Sequence, residues 1–251
     1  MTDLAIKVLA THVPEGKIGV FWIGQAGFIF KLPDERLIVV DPYYSDYCNR
    51  LVGFKRLMPY IISATDLTYD IYIASHAHPD HFDADSAGAI MGSGKTKLFC
   101  ALDVESECEK LNIKDKVTYM KVGDVVSEDG LIIRAVPCDH GPDTPHALGI
   151  ILEYEGKKIY LMGDTTFRED YFENEELKHC DLLILPINGA FGNLNETQAA
   201  VTAENLQPKL TIPCHFWNFA EHGGNPSIFA KEMQERKLNY NILYMGEGVF
   251  V

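Results

Sequence analysis

Ser75-His-Ala-His-Pro-Asp-His81 places four side chains able to bind a transition metal, His76, His78, Asp80 and His81, within six residues. The run that leads into it, Ile71-Tyr-Ile-Ala-Ser75, is short, apolar and partly β-branched, which predicts a buried strand with the ligands just past its end. Beyond Pro79, residues 82–90 suit the start of a helix, with Asp83 or Asp85 near its cap. His76 and His78 are two apart, so in extended backbone both rings point to one side and can grip one cation. Asp80 and His81 lie past the bend and can grip a second. Imidazole and carboxylate together suit zinc, manganese or iron, whereas an all-oxygen cage would suit calcium or magnesium. Taken alone, the stretch also fits a polar turn with surface histidines, so the weight falls on whether further ligand-type residues recur elsewhere.

They do, in a repeated pattern. Predicted strands at 131–136, 158–162, 181–185 and 209–212 are followed by His140, by Asp164, by Asn188 and by His215. In sheet-rich α/β proteins, sites collect at the sheet edge where such loops converge. His76, His78 and His140 can then complete one metal site, and Asp80, His81 and His215 the other. Asp164 can bridge them, because a carboxylate has two oxygens to share. A single post-strand histidine is usually a hydrogen-bonded structural residue; it is the ordered set that argues for metal.

Working outward, residues 18–32 predict two strands around Gly24–Gly27, and 36–42 a strand ending on Asp41. Asp41 fits a carboxylate that orients a ligand histidine from behind, or a turn-forming Asp-Pro. Residues 43–66 read as irregular and aromatic-rich. Further strands are expected at 98–101, 117–122 and 240–244, with a turn at 123–124. Helices are expected at 103–111, at 195–206 with Thr197 near the cap, and at 226–236. Asn188, Gly189, Asn193 and Thr166 follow strands and could reach substrate oxygens, though loop hydrogen bonding is the commoner role for such residues; His222 fits a phosphate contact and an ordinary surface histidine equally.

Composition sets bounds. The 251 residues are 47% hydrophobic and 23% charged, an ordinary globular balance with length for a large core. Twenty-two basic against 36 acidic residues give a net charge of −14, which disfavours nucleic acid and anionic membranes as partners. A small anionic substrate stays open, since two divalent cations reverse the local sign. The six scattered cysteines form no C-x-x-C pair and are read as reduced thiols. With no apolar run of signal-peptide or membrane-spanning character, a cytoplasmic protein is expected.

His-x-His-x-Asp-His followed by His140, Asp164 and His215 resembles the metallo-β-lactamase fold superfamily of metal-dependent hydrolases. The resemblance covers nearly the whole chain. It implies an α/β protein, a four-layer αβ/βα sandwich, formed by residues 1–251 as one domain, with two divalent ions, Zn²⁺ or Mn²⁺ or else iron, held by His76, His78, Asp80, His81, His140, Asp164 and His215. Phe21-Trp-Ile-Gly-Gln-Ala-Gly27, 75–83, 121–126, Gly163-Asp-Thr165 and Ile212-Pro-Cys-His-Phe-Trp217 are similar to segments of the L-ascorbate-6-phosphate lactonase group. This implies a hydrolase that opens a phosphorylated sugar lactone, with Asp80 and Asp164 as catalytic carboxylates and Asn188 and His222 toward substrate. The chain is shorter than that lactonase and lacks some of its insertions. Rival expectations are a phosphodiesterase acting on a small phosphodiester, a di-iron oxidoreductase of the same fold, and a non-catalytic metabolite-binding member. The di-iron pattern carries a carboxylate where this chain has His78. Association into a homo-oligomer is compatible with the sequence.

Overall fold

Thr2 opens the first helix, its hydroxyl accepting from Ala5 N, and α1 runs over Asp3–Ala10. The computed structural model describes all 251 residues. A helix end leaves carbonyls without partners; here Lys31 Nζ donates to the carbonyls of Val8, Leu9 and Thr11 at 3.1, 2.9 and 2.8 Å. Lys31 lies in β2, so this buried ammonium ties α1 to the strands that follow. They are β1 (Gly19–Gly24), β2 (Gly27–Lys31) and β3 (Leu37–Val40), an antiparallel series in which every residue is buried. The strands predicted around Gly24–Gly27 are these. Segment 43–66, read as irregular, contains the short helix α2 (Tyr47–Val52).

β4 (Ile71–Ala74), β5 (Lys97–Ala101) and β6 (Val117–Met120) continue from β3 as parallel neighbours. The apolar runs of β4 and of residues 98–101 in β5 are what strands buried on both faces require, whereas β6, at the sheet edge, is mostly part-exposed. Helices α3 (Ala84–Met91) and α4 (Glu105–Lys110) make two of the crossovers. Asp83 caps α3: its carboxylate accepts from Asp85 N and Ser86 Oγ, and also from Tyr44 N and Ser45 Oγ. It thereby pins the start of the aromatic segment to the helix after the metal motif. Burial raises its pKa above the usual carboxylate range, against the pull of those donors.

The second half is built from β7 (Val125–Glu128), β8 (Leu131–Pro137), β9 (Leu148–Tyr154), β10 (Lys157–Leu161), β11 (Leu182–Pro186), α5 (Glu196–Leu206), β12 (Thr211–Cys214) and α6 (Pro226–Glu235). β7 to β10 run antiparallel, and β10, β11 and β12 are parallel. β7, β9 and α1 were not anticipated. α5 is capped by Asn195 through a capping box with Gln198, not by Thr197. The strand expected at 240–244 is absent: a single bridge joins Tyr240 to Thr211 before the backbone leaves that sheet. The last strand is β13 (Gly248–Phe250), which pairs with β1.

Two compact units result. One comprises residues 1–121 with 243–251 and holds the sheet β13-β1-β2-β3-β4-β5-β6; the other comprises 122–242 and holds β12-β11-β10-β9-β8-β7. The architecture is α/β with two mixed sheets, as expected. Strand direction positions the site residues. In the first sheet β3 and β4 are parallel, so Asp41 and residues 75–81 leave the same edge. In the second, β8, β10, β11 and β12 all point one way, so His140, Asp164, Asn188 and His215 share an edge.

Candidate metal centre

In the first unit the ligand-type residues are organised from behind by Asp41. Ser75 donates to it twice, from its backbone N–H at 2.7 Å and from its hydroxyl at 2.6 Å, and His81 Nδ1 lies 2.8 Å from the same carboxylate. A carboxylate accepts, so His81 Nδ1 carries the proton and Nε2 presents a lone pair. The Ser75 hydroxyl has spent its one proton on Asp41, so it accepts from His76 Nδ1, 3.0 Å away. His76 Nε2 is then likewise a lone-pair donor. That nitrogen stands 3.0 Å from His78 Nδ1, and the rings of His76 and His81 are 4.0 Å apart. His81 Nε2 faces Asp80 Oδ2 at 3.7 Å.

Two ligand atoms on one tetrahedral zinc stand about 3.4 Å apart, given bonds of about 2.0–2.1 Å. The spacings in this unit suit an ion of that size, and imidazole with carboxylate is the donor set that borderline-soft divalent metals take. His76 and His81 are fully buried. A buried imidazole with one nitrogen oriented by a carboxylate or hydroxyl and the other aimed away from it is how metal-binding histidines are held.

The second unit carries its own set. Asp164 Oδ2 stands 3.1 Å from His215 Nε2 and 3.6 Å from His140 Nε2. Gly163 puts Asp164 there: its φ is +67°, and a Cβ would sit 2.8 Å from the Leu148 carbonyl oxygen, so only glycine fits before the aspartate. The ring of His222 stacks on His215 with centroids 4.9 Å apart and planes 10° apart. His222 is half-buried, packed also against Phe191 and Phe219.

One carboxylate oxygen in each unit is held by a carboxamide. Gln25 Nε2 donates to Asp80 Oδ2 at 2.7 Å, and Asn193 Nδ2 donates to Asp164 Oδ2 at 2.8 Å. Asn193, expected near substrate oxygens, instead orients a ligand-type aspartate. Asn188 is buried; its Nδ2 donates to Ala190 O at 3.3 Å, while its Oδ1 is buried without a partner. Thr166 contributes its backbone N–H to the Asp139 carbonyl. Gln25 had been given no role. It lies between Gly24 and Ala26 in the segment Phe21–Gly27, where a lone amide in an apolar run is the only signal. Gln25, Asp41 and His215 all sit at positive φ, 50°, 45° and 62°. Non-glycine residues held there cost of order 1–3 kcal/mol each and gather at functional sites.

Asp41→Asn tests the arrangement behind the ligands. The amide must set its N–H₂ against a donor in either orientation, the Ser75 backbone N–H on one side or Ser75 Oγ with His81 Nδ1 on the other, so the support behind the histidines is weakened. Metal affinity, measured by competition with a chelator, is expected to fall about 10–100-fold with the fold retained; an unchanged affinity would separate Asp41 from the centre.

Comparison with known proteins agrees with this picture. Residues 19–215 match the family model for the beta-lactamase superfamily domain. A UPF0173 metal-dependent hydrolase of Polynucleobacter asymbioticus is 28% identical over 258 residues, covering 93% of this chain and 86% of its own. Another, from Sulfurisphaera tokodaii, is 28% identical over 231 residues, covering 91% and 97%. Among solved structures, the metallo hydrolase Igni18 of Ignicoccus hospitalis superposes with a TM-score of 0.74 at 22% identity, covering 94% of this chain and 98% of its own. The match to the family model runs from the first residue of β1 to His215, through every strand but β13, and on that ground the chain belongs to the beta-lactamase superfamily and has the metallo-β-lactamase fold.

Proposed function

We propose that this protein is a metal-dependent hydrolase that uses two divalent ions to hydrolyse a carbonyl ester, a lactone, and that phosphorylated sugar lactones such as L-ascorbate 6-phosphate are the first class to test. The ligands proposed for the two ions are His76, His78, Asp80 and His81 of the first unit and His140, Asp164 and His215 of the second. The observation that carries the reading is the chain from Asp41 through Ser75 to His76 and His81, which leaves both Nε2 atoms as lone-pair donors. The relatives named as metal-dependent hydrolases support the same reading. Bound there, a divalent ion would supply Lewis acidity and bring the pKa of water down toward neutrality.

The chain's own residues supply the rest. Asp80 and Asp164, each with one oxygen fixed by a carboxamide, orient the attacking water and take its proton. Water adds to the lactone carbonyl carbon, the carbonyl-to-ring-oxygen bond breaks, one of the water's protons passes to that ring oxygen, which leaves as an alcohol, and the other is released to solvent as the new carboxylic acid ionises. The substrate is a small molecule rather than a nucleic acid, in keeping with the net charge of −14. No helix is long and apolar enough to cross a membrane.

The test is elemental analysis of the purified protein, joined to turnover of sugar lactones and of bis(p-nitrophenyl) phosphate. About two equivalents of zinc, manganese or iron and lactone opening are expected. Cleavage of the phosphodiester alone would reassign the enzyme to small phosphodiesters, and a metal-free active preparation would sink the proposal.

A further inference from the structure

We propose that Phe191 and Trp217 form an aromatic rim beside His215 and His222 that stacks against the ring of the substrate, and that the substrate class is therefore a flat, unsaturated or aryl-fused lactone. The inference rests on the lactonase reading for the identity of the ring, but its observations are separate.

Both aromatics are exposed, Phe191 at 59% and Trp217 at 52%, in a unit whose other large rings are mostly buried. Both are held by backbone that large residues avoid, with φ of 52° and 61°. Neither strain nor exposure helps folding, since burying such a ring would contribute 150–250 Å² of covered surface. Strain kept at positions that leave more than half of each ring in solvent is a pointer to function.

Their placement is rigid. Phe191 tips the loop between β11 and α5, which is closed by the bridge Asn188–Asn195 and by the bonds Gly189 N to Leu194 O and Asn193 N to Ala190 O. The same loop sends Asn193 to Asp164 and carries Leu194 N to the carbonyl of Thr165. Phe191 meets the ring of His222 at 5.2 Å, and His222 lies parallel to His215. Trp217 follows His215 by two residues, and the buried Phe216 between them anchors it edge-on at 5.6 Å. Gly223 and Gly224 let the His222 loop lie on Asn188, where a Cβ at either would come within 2.5 Å of the Asn188 carbonyl oxygen or 2.6 Å of the Phe216 Cβ.

Charge points the same way. The connections after β8, β10, β11 and β12 contain two Lys or Arg among them: Lys178, whose ammonium is taken by Glu175 at 2.6 Å, and Arg168. Its guanidinium is engaged by Asp139 at 2.6 Å and by Asp170 at 2.7 Å. This side of the site thus offers rings and not cations, which suits the neutral, polarisable face of a conjugated lactone. A charged substituent on the ring would have to point elsewhere.

The chain's two tryptophans make the test direct, because Trp22 is buried and Trp217 is not. The purified protein is titrated with dihydrocoumarin, an aryl-fused lactone, and with δ-valerolactone, which is saturated, while tryptophan fluorescence and ring opening are both followed. Dihydrocoumarin is expected to quench saturably and δ-valerolactone not to quench at the same concentrations. Trp217→Phe should lose the response, and Phe191→Ala should raise the half-quenching concentration about three- to tenfold, with Phe191→Leu between. Equal responses to the two lactones, or an unchanged Phe191→Ala titration, would overturn the rim. Quenching without ring opening upholds the rim and removes the lactonase reading. Ring opening without quenching removes the rim and leaves that reading in place.

Discussion

His76→Ala is expected to strip the centre of metal and to cut hydrolysis by more than the roughly 100-fold that loss of an outer orienting partner costs. The reason is local. His76 Nε2 is set by the Ser75 hydroxyl to present a lone pair 3.0 Å from His78 Nδ1, and alanine removes the donor without offering another. A stability readout separates lost binding from misfolding. A metal present at 100 times its Kd stabilises by about 2.7 kcal/mol, which for a chain of this size raises Tm by about 5–10 °C. The wild type should show that rise when the chelated protein is reloaded, and His76→Ala should not. Unchanged metal content and an unchanged rate would remove His76 from the centre.

Asp164→Asn should have the second large effect. Asp164 is buried, with His215 and His140 nitrogens at 3.1 and 3.6 Å and the Asn193 amide on Oδ2. The variant must keep its carbonyl oxygen toward Asn193, because an N–H₂ there would meet another donor. The new N–H₂ then occupies the position of Oδ1 and presents hydrogens where the carboxylate could offer a lone pair to an ion. The charge at that position also falls by one. Metal content is expected to drop from about two equivalents to one or less, and the rate by more than about 100-fold, again beyond the range for outer partners. The metal-free variant should melt no lower than the metal-free wild type, since it removes the cost of burying a carboxylate charge. A variant with two ions and full activity would refute its role as a ligand.

The parts of the fold that the sequence made legible are those with one dominant local signal. Ile71-Tyr-Ile-Ala and Leu182-Leu-Ile-Leu are continuous apolar runs, and buried parallel strands need such runs. β9 was missed because Gly149 interrupts it. The glycine is there because a Cβ would lie 2.9 Å from Val136 and 3.1 Å from Tyr160, a constraint visible only once three strands are side by side. Tyr240-Asn-Ile-Leu-Tyr244 alternates like a strand, yet only Tyr240 bridges to Thr211. Thr197 and Asn195 are both good caps; the choice turned on Gln198, which reaches back to Asn195 N at 3.0 Å. Of the site, the ligand-type residues could be read from their spacing after strands. Gln25 and the reassigned Asn193 could not, because a carboxamide's role depends on which carboxylate it meets across 55 or 29 residues.

The pairing of β13 with β1 has a consequence for biosynthesis. Gly19, Val20 and Phe21 find their outer partners only at Phe250, Val249 and Gly248. A ribosome adding about 5–20 residues per second needs roughly 6–25 s after residue 121 to deliver them. Throughout that interval the nascent sheet shows an unpaired, wholly apolar margin of the kind that recruits foreign strands. The first half of this polypeptide is therefore expected to keep that margin open until residues 248–250 arrive to pair with it.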